Sequence, residues 1–433
     1  MSGRRVTEKW TSRPATGRLR RSRELFAALL LLACEGLASE SASAEESFVW
    51  MQFAAQGLEA RAATSAAACP IAEIDGVARP MTQRAAPDSA FPILVCATGV
   101  PRMAARVSVD GRALPPPHAR ADRIAIIGDT GCRLKGLYWQ ECNTPASWPF
   151  RQIATTAAAL APHAIVHVGD YYYRETACPP LRTSCAGSPH GDNWEAWKAD
   201  FFAPAGPLLA AAPWVFVRGN HENCARGGRG WARLLSPFPF VDDRACAMRE
   251  PAYAVDLGGP TLFVLDVTAA EDRVVDATLA PVFAEALAIG KTVAGPVWYA
   301  FHKPIYSTLR VTGGESIGDN KTLAEAARPG LPDNVQAILS GHLHVFQIAS
   351  YREPLPAQIV VGNGGDALDR YVPDLFDGLR IGAVTVERGR SIPDSFGFAT
   401  LERGEAEWRV TAHHVGGDPL LRCSLRGREI ACE

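Results

Sequence analysis

Five apolar runs in this chain end directly in side chains that bind metal ions. Arg123 to Gly131 reads RIAIIGDTG, Ala164 to Glu175 reads AIVHVGDYYYRE, Trp214 to Glu222 reads WVFVRGNHE, Val297 to Pro304 reads VWYAFHKP, and Val335 to His344 reads VQAILSGHLH. Each puts Asp, Asn or His where a short buried strand gives way to a loop, the place at which open α/β sheets bind ligands. One such ending means little, because strands often stop at Gly-Asp or Gly-Asn as a turn. Five together supply the oxygen and imidazole donors of a metal site. Two cations about 3.5–4 Å apart can clamp a phosphate, acidify a bound water and stabilise attacking and leaving oxygens alike. That spacing needs a carboxylate shared between the two ions. His342 and His344 are two apart, so an extended chain turns both side chains to one face.

Taken in order, the blocks resemble the calcineurin-like metallophosphoesterases and, within them, the purple acid phosphatase pattern G-D-x-G, G-D-x-x-Y, G-N-H-E, a His after an apolar strand, and G-H-x-H. Here these stand as Gly128-Asp129-Thr130-Gly131, Gly169-Asp170-Tyr171-Tyr172-Tyr173, Gly219-Asn220-His221-Glu222, His302, and Gly341-His342-Leu343-His344. Tyr299 departs from the pattern, which usually has Val three residues before the His. The resemblance spans roughly Arg123 to Gly365. It implies a first ion on Asp129, Asp170, Tyr173 and His344, and a second on Asp170, Asn220, His302 and His342. Other members of the superfamily carry D-x-H in the first block. Asp129-Thr130-Gly131 lacks that His, and the resemblance makes Tyr173 its replacement. A phenolate is a hard, anionic ligand, so iron is expected at the Tyr173 site, with zinc, iron or manganese at the other.

The reaction implied is hydrolysis of a small-molecule phosphomonoester by metal-activated water rather than by a protein nucleophile. His221 follows Asn220 and is expected to protonate the leaving oxygen, with Glu222 orienting its ring. A phosphodiesterase or nucleotide pyrophosphatase on the same site is the alternative class. A non-catalytic secreted binding module on the same scaffold is a third reading, and seven intact ligand residues weigh against it. Arg174, Arg218, His190 and Lys303 lie beside the blocks and could hold phosphate oxygens, though surface ion pairs would explain them equally. Tyr171, Tyr172 and Trp194 read as packing. Asn363-Gly364-Gly365 reads as a strand-ending turn, and His413 and His414 carry no assigned role.

The elements that must position these groups follow from the rest of the chain. Four arginines, Arg18, Arg20, Arg21 and Arg23, precede the apolar run Leu25 to Ala33, and Ala42-Ser43-Ala44 supplies small residues for cleavage. That run is too short to span a bilayer, and the stretch 1–44 reads as a secretory signal peptide. Export to a periplasm or the extracellular space is expected; Leu31-Leu32-Ala33-Cys34 offers a less favoured lipoprotein route. Cleavage after Ala44 removes eight of 44 Lys and Arg and four of 46 Asp and Glu, leaving 36 against 42, a net charge near −6. That balance argues against nucleic acid or an anionic membrane as partner. Oligomeric state is not legible.

Ten of the eleven cysteines follow Cys34. Sequence does not fix their connectivity, but pairing of neighbours is preferred: Cys69 with Cys96, Cys132 with Cys142, Cys178 with Cys185, Cys224 with Cys246, and Cys423 with Cys432. The rival role as thiolate ligands is disfavoured by an oxidising compartment.

Residues 45–118 read as a small β-rich domain ending in Pro115-Pro116-Pro117, and 119–433 as the catalytic domain. Within the latter, helices are expected after Ser147 and Pro149, over Asn193 to Phe202, and over Leu279 to Ile289. Strand-rich sequence follows Tyr253. The fold class is therefore α/β with α+β elements, and the resemblance makes it a four-layer α-β-β-α sandwich with the N-terminal β-rich unit attached.

Overall fold

The computed structural model describes residues 46–242, 246–312 and 315–433. The expected signal peptide and Cys34 lie outside the described residues.

Two large sheets carry the blocks. In the first, Arg123–Ile127, Ala164–His167 and Trp214–Phe216 run parallel, and the last pairs in parallel with Ser47–Ala54. In the second, Thr261–Val264, Val297–Ala300, Val335–Ser340 and Ala357–Val361 run parallel as neighbours. Side chains alternate along these strands, and that alternation builds the layers. Ile124 and Ile126 point into a core shared with Leu262, Trp298, Leu339 and Ile359 of the second sheet. Ala125 and Ile127 point the other way, into a core with Phe150, Ile153 and Phe201. On the far side of the second sheet, Phe263, Tyr299 and Ile338 pack on Phe283, Leu287 and Leu323. Helix, sheet, sheet and helix are thus four successive layers.

The outer helices are short. Phe150–Ala159 begins directly after Pro149 and buries Phe150, Ile153, Ala154 and Ala157 at helical spacing. Asn193 caps Trp194–Trp197 by accepting from the Ala196 amide. The helical path expected to stop at Phe202 continues through a π-turn into Ala203–Leu209. Ala280–Leu287 is the third expected helix. Asn320 caps a fourth, Lys321–Ala326, which sequence reasoning passed over.

The strands Gly397–Arg403 and Trp408–His414 do not extend the second sheet, although they follow it in sequence. Gly397–Arg403 returns to pair antiparallel with Arg123–Ile127, and Trp408–His414, Pro419–Arg426 and Glu429–Cys432 complete that edge. Within 46–118, Ser47–Ala54, Gly57–Thr64, Leu94–Val100 and Thr82–Ala85 continue the other edge of the same sheet. Backbone pairing is therefore continuous across the boundary read at His118. Ile71–Ile74, Val77–Pro80, Val107–Val109 and Arg112–Leu114 form a separate four-stranded sheet. All five neighbour disulfides are present.

Candidate metal centre

Every block delivers its polar residue at the C-terminal end of a parallel strand, three from the first sheet and two from the second. The loops bend sharply to do so. Asp129, Asp170 and His342 have φ of 55°, 58° and 72°, left-handed conformations that cost non-glycine residues energy and collect at functional sites. Glycines make room. A Cβ on Gly219 would lie 2.1 Å from an Asp170 carboxylate oxygen, and one on Gly341 would lie 2.4 Å from Asp129. The Gly of G-N-H-E and of G-H-x-H is therefore required by close approach of a carboxylate.

Two clusters of lone pairs result. At the first, the Tyr173 hydroxyl is 3.0 Å from Asp129 Oδ1, 3.0 Å from Asp170 Oδ2 and 3.0 Å from His344 Nε2. A phenol has one proton and cannot satisfy three acceptors. His344 Nδ1 lies 2.8 Å from the Ala367 carbonyl, which only accepts, so Nδ1 carries the hydrogen and Nε2 presents its lone pair inward. At the second, His302 Nε2 is 3.1 Å from Asn220 Oδ1 and 3.0 Å from Asp170 Oδ2, while its Nδ1 donates to the Val168 carbonyl at 2.8 Å. His342 joins Asp170 and His302 with ligand atoms all within 4.8 Å of one another. Asp170 Oδ2 is common to both clusters, the place of a bridge.

The charges agree with a cation's place. Burial alone would lower both imidazoles, yet Asp170 and Asp129 push His302 up to about 9, and Asp366 and Asp129 do the same to His344, to about 9. Protons are thus drawn to where positive charge is wanted. Burial, then Asp129 and Asp170, hold the Tyr173 phenol well above its ordinary range, so ionising it requires a neighbouring cation. The donor set fits two ions.

The structure brings together all seven expected ligands and places His221 over them. The His221 ring lies 3.9 Å from the Tyr173 ring between centroids, and its Nε2 is 3.9 Å from Asp170 Oδ2. Its backbone amide donates to Asp170 Oδ1 at 2.8 Å.

Glu222 requires correction. It does not orient His221: its fully buried carboxylate accepts from four amides, those of Asp170, Tyr171, Tyr172 and Gly219, at 2.9 to 3.2 Å. Burial, then the Asp170 charge, push its carboxyl up to about 8 despite those amides. Its work is to tie the G-D-x-x-Y loop to the G-N-H-E turn. Glu175 faces the His221 ring instead, with Oε1 2.8 Å from Nδ1, a contact with the distance but not the alignment of a good hydrogen bond. Burial opposes ionisation of Glu175, but His221, Arg226 and Lys135 outweigh it and hold the carboxyl below its usual range.

The neighbouring cations divide. Arg174 is buried on Asp200 at 2.6 Å, and Arg218 on Asp266 at 3.1 Å. Lys303 donates to the Ala270 carbonyl and to Asp272, which also accepts from Asn320 Nδ2 at 2.7 Å and lies 3.5 Å from His342. These three are structural rather than open to a phosphate. His190 lines the Cys178–Cys185 loop. Tyr171, Tyr172 and Trp194 are core residues, as expected. Sequence reasoning missed Arg133, Glu175, Asp272 and Asp366. Asp366 had a signal, following the Gly364-Gly365 turn that packs against the backbone of Gly128 and Thr130.

A four-layer sandwich with paired cation sites at its strand ends defines a dinuclear metallohydrolase. Residues 122–346 match the family described as calcineurin-like phosphoesterase, and the chain belongs to that family. It is a metal-dependent phosphoric ester hydrolase. Among solved structures it is similar to the purple acid phosphatase PPD1 from seeds of yellow lupin (Lupinus luteus), at 12% identity and a TM-score of 0.55 over 87% of this chain and 73% of that one. PhoD is similar at 11% identity and a TM-score of 0.54, over 89% of this chain and 91% of that one. At such identities the likeness is one of fold. No curated protein sequence matches the chain. Among the described residues no helix is long and apolar enough to cross a membrane.

Proposed function

We propose that the chain is an exported phosphatase that hydrolyses phosphomonoesters, with iron at the Tyr173 site and zinc, iron or manganese at the other. The observation that carries this reading is the Tyr173 hydroxyl at 3.0 Å from Asp129, Asp170 and His344. A phenolic oxygen among carboxylates and an imidazole is a hard, anionic donor set, which favours a ferric ion. Two bound cations supply charge for the phosphoryl oxygens and acidify water.

The protein's own groups do the rest. Asp170 holds the two sites at a fixed spacing. The carbonyls of Val168 and Ala367 fix the tautomers of His302 and His344. His221, backed by Glu175, carries a proton to the leaving oxygen on the face opposite its Nδ1 contact. Five disulfides support an oxidising compartment.

Rates on a monoester and a diester of one leaving group test the substrate class; a diester cleaved faster would reverse the reading. Metal analysis with a visible spectrum tests the ion. A broad charge-transfer band is expected, and Tyr173→Phe should remove or strongly weaken it. A colourless protein fully active with zinc or manganese alone would overturn the iron assignment.

A further inference from the structure

Arg133 follows the first block by two residues and sits inside the loop closed by Cys132 and Cys142. Its Nε lies 3.0 Å from Asp366 Oδ2, and Nη2 contacts the same carboxylate, the forked geometry that a guanidinium makes and an ammonium cannot. Asp366 is fully buried, so the arginine is held firmly by one edge. The group then lies across the metal site's flank. Its central carbon is 5.4 Å from the centre of the Tyr173 ring, and Nη2 is 3.4 Å from His344 Nδ1.

A purely structural role would leave no donors over. Arg218 fits that description: its side chain is 2% exposed, and Nε, Nη1 and Nη2 all donate, to Glu222, Ala247, Asp266 and the sulfurs of Cys224 and Cys246. Arg174 is closed off in another way, 3% exposed and lying over the Trp148 ring. Arg133 does not: its side chain is 29% exposed, and Nη1 has no acceptor among the described residues. Two N–H groups of a fixed cation beside two metal ligands need an anionic oxygen from outside the chain.

We propose that Arg133 binds substrate, its Nη1 edge donating to a non-bridging oxygen of the phosphoryl group, with Asp366 as the positioning residue. The proposal rests on the phosphomonoesterase reading above. The loop is prepared for it: the Arg133 amide donates to Gln140, and the Cys132 amide donates to buried Asp200, so little ordering remains to be done on binding.

The test is calorimetric titration of inorganic phosphate into the metal-loaded protein, with metal content measured on the same samples. Arg133→Met should keep both metals and weaken phosphate by about 10- to 100-fold, the loss of a charge-assisted hydrogen bond. Arg133→Lys retains a charge for Asp366 but no free edge, and should recover only part of the affinity. Asp366→Asn should raise KM for a monoester more than it lowers kcat. Phosphate affinity within twofold of wild type in both arginine variants, metals in place, would overturn the proposal. Loss of the metals from both would do so too, making the pair structural. If wild-type protein neither binds phosphate nor cleaves a monoester, the underlying reading fails first, and the wild-type control separates that failure from the other.

Discussion

Replacing His221 by Ala separates proton donation from metal holding. The side chain makes no hydrogen bond to the ligands: Nε2 is 3.9 Å from Asp170, beyond bonding distance. The link between this residue and the bridge is its backbone amide, which donates to Asp170 Oδ1 at 2.8 Å and survives truncation. His221→Ala should therefore keep both metals. What it removes is a ring lying tilted against Tyr173 and facing Glu175, its other nitrogen towards Asp170. General acid catalysis contributes about 10²–10⁴-fold, or about 2.7–5.4 kcal/mol at 1.36 kcal/mol per tenfold. An alkyl phosphate needs all of that help. An aryl phosphate with an acidic phenol needs little, so its loss should stay near tenfold or less. The assay is kcat/KM on the two esters with metal content measured in parallel. Glu175→Gln should show the same pattern at smaller amplitude, because the ring loses its anchor but not its nitrogen. Equal losses on both esters, or loss of the metals, would refute the assignment and leave His221 a support for Asn220.

Three further outcomes are expected. Glu222→Gln turns one acceptor of the four-amide cradle into a donor and orphans two amides, a cost of about 2–6 kcal/mol at 1–3 for each; chemical denaturation should show that loss, and an unchanged unfolding midpoint would return Glu222 to a functional role. His413 is buried, with Nε2 on Thr400 and Nδ1 on the Gly417 carbonyl, and burial holds its pKa below the ordinary value. The unfolded chain takes up a proton as pH falls through about 6.5 and the folded chain does not until lower pH, so this group's stability is complete above that range and lost below it. His413→Asn should then lose less urea resistance than wild type between pH 7.5 and 5.5; parallel losses would show the histidine already protonated in the fold. Mass spectrometry of protein from its native host should find Glu45 at the N-terminus and no free thiol among the ten later cysteines, whereas a diacylglyceryl group on Cys34 would establish the lipoprotein route.

How much of this was legible in the sequence depends on how far apart the interacting residues lie. The residues that cluster at the strand ends were, because each sits immediately after an apolar strand, and strand ends are where local pattern and tertiary position coincide. The neighbour disulfides were for the same reason, their loops being short. The return of Gly397–Arg403 to the first sheet was not, since a strand's period says which residues are buried and nothing of which strand it joins. The partner of His221 was lost in the same way. Glu222 is adjacent in sequence, but adjacent residues leave a turn in different directions, and its carboxylate instead completes a capping arrangement with the Gly219 amide. Glu175 comes from another strand's loop and reaches the ring only because Tyr171, Tyr172 and Tyr173 are held beneath it by that same Glu222 and by Asp200. The two buried acids hold the loop's backbone, and the two half-open groups, Glu175 and Arg133, face the chemistry. Burial, which sequence cannot supply for a charged residue, is what tells these roles apart.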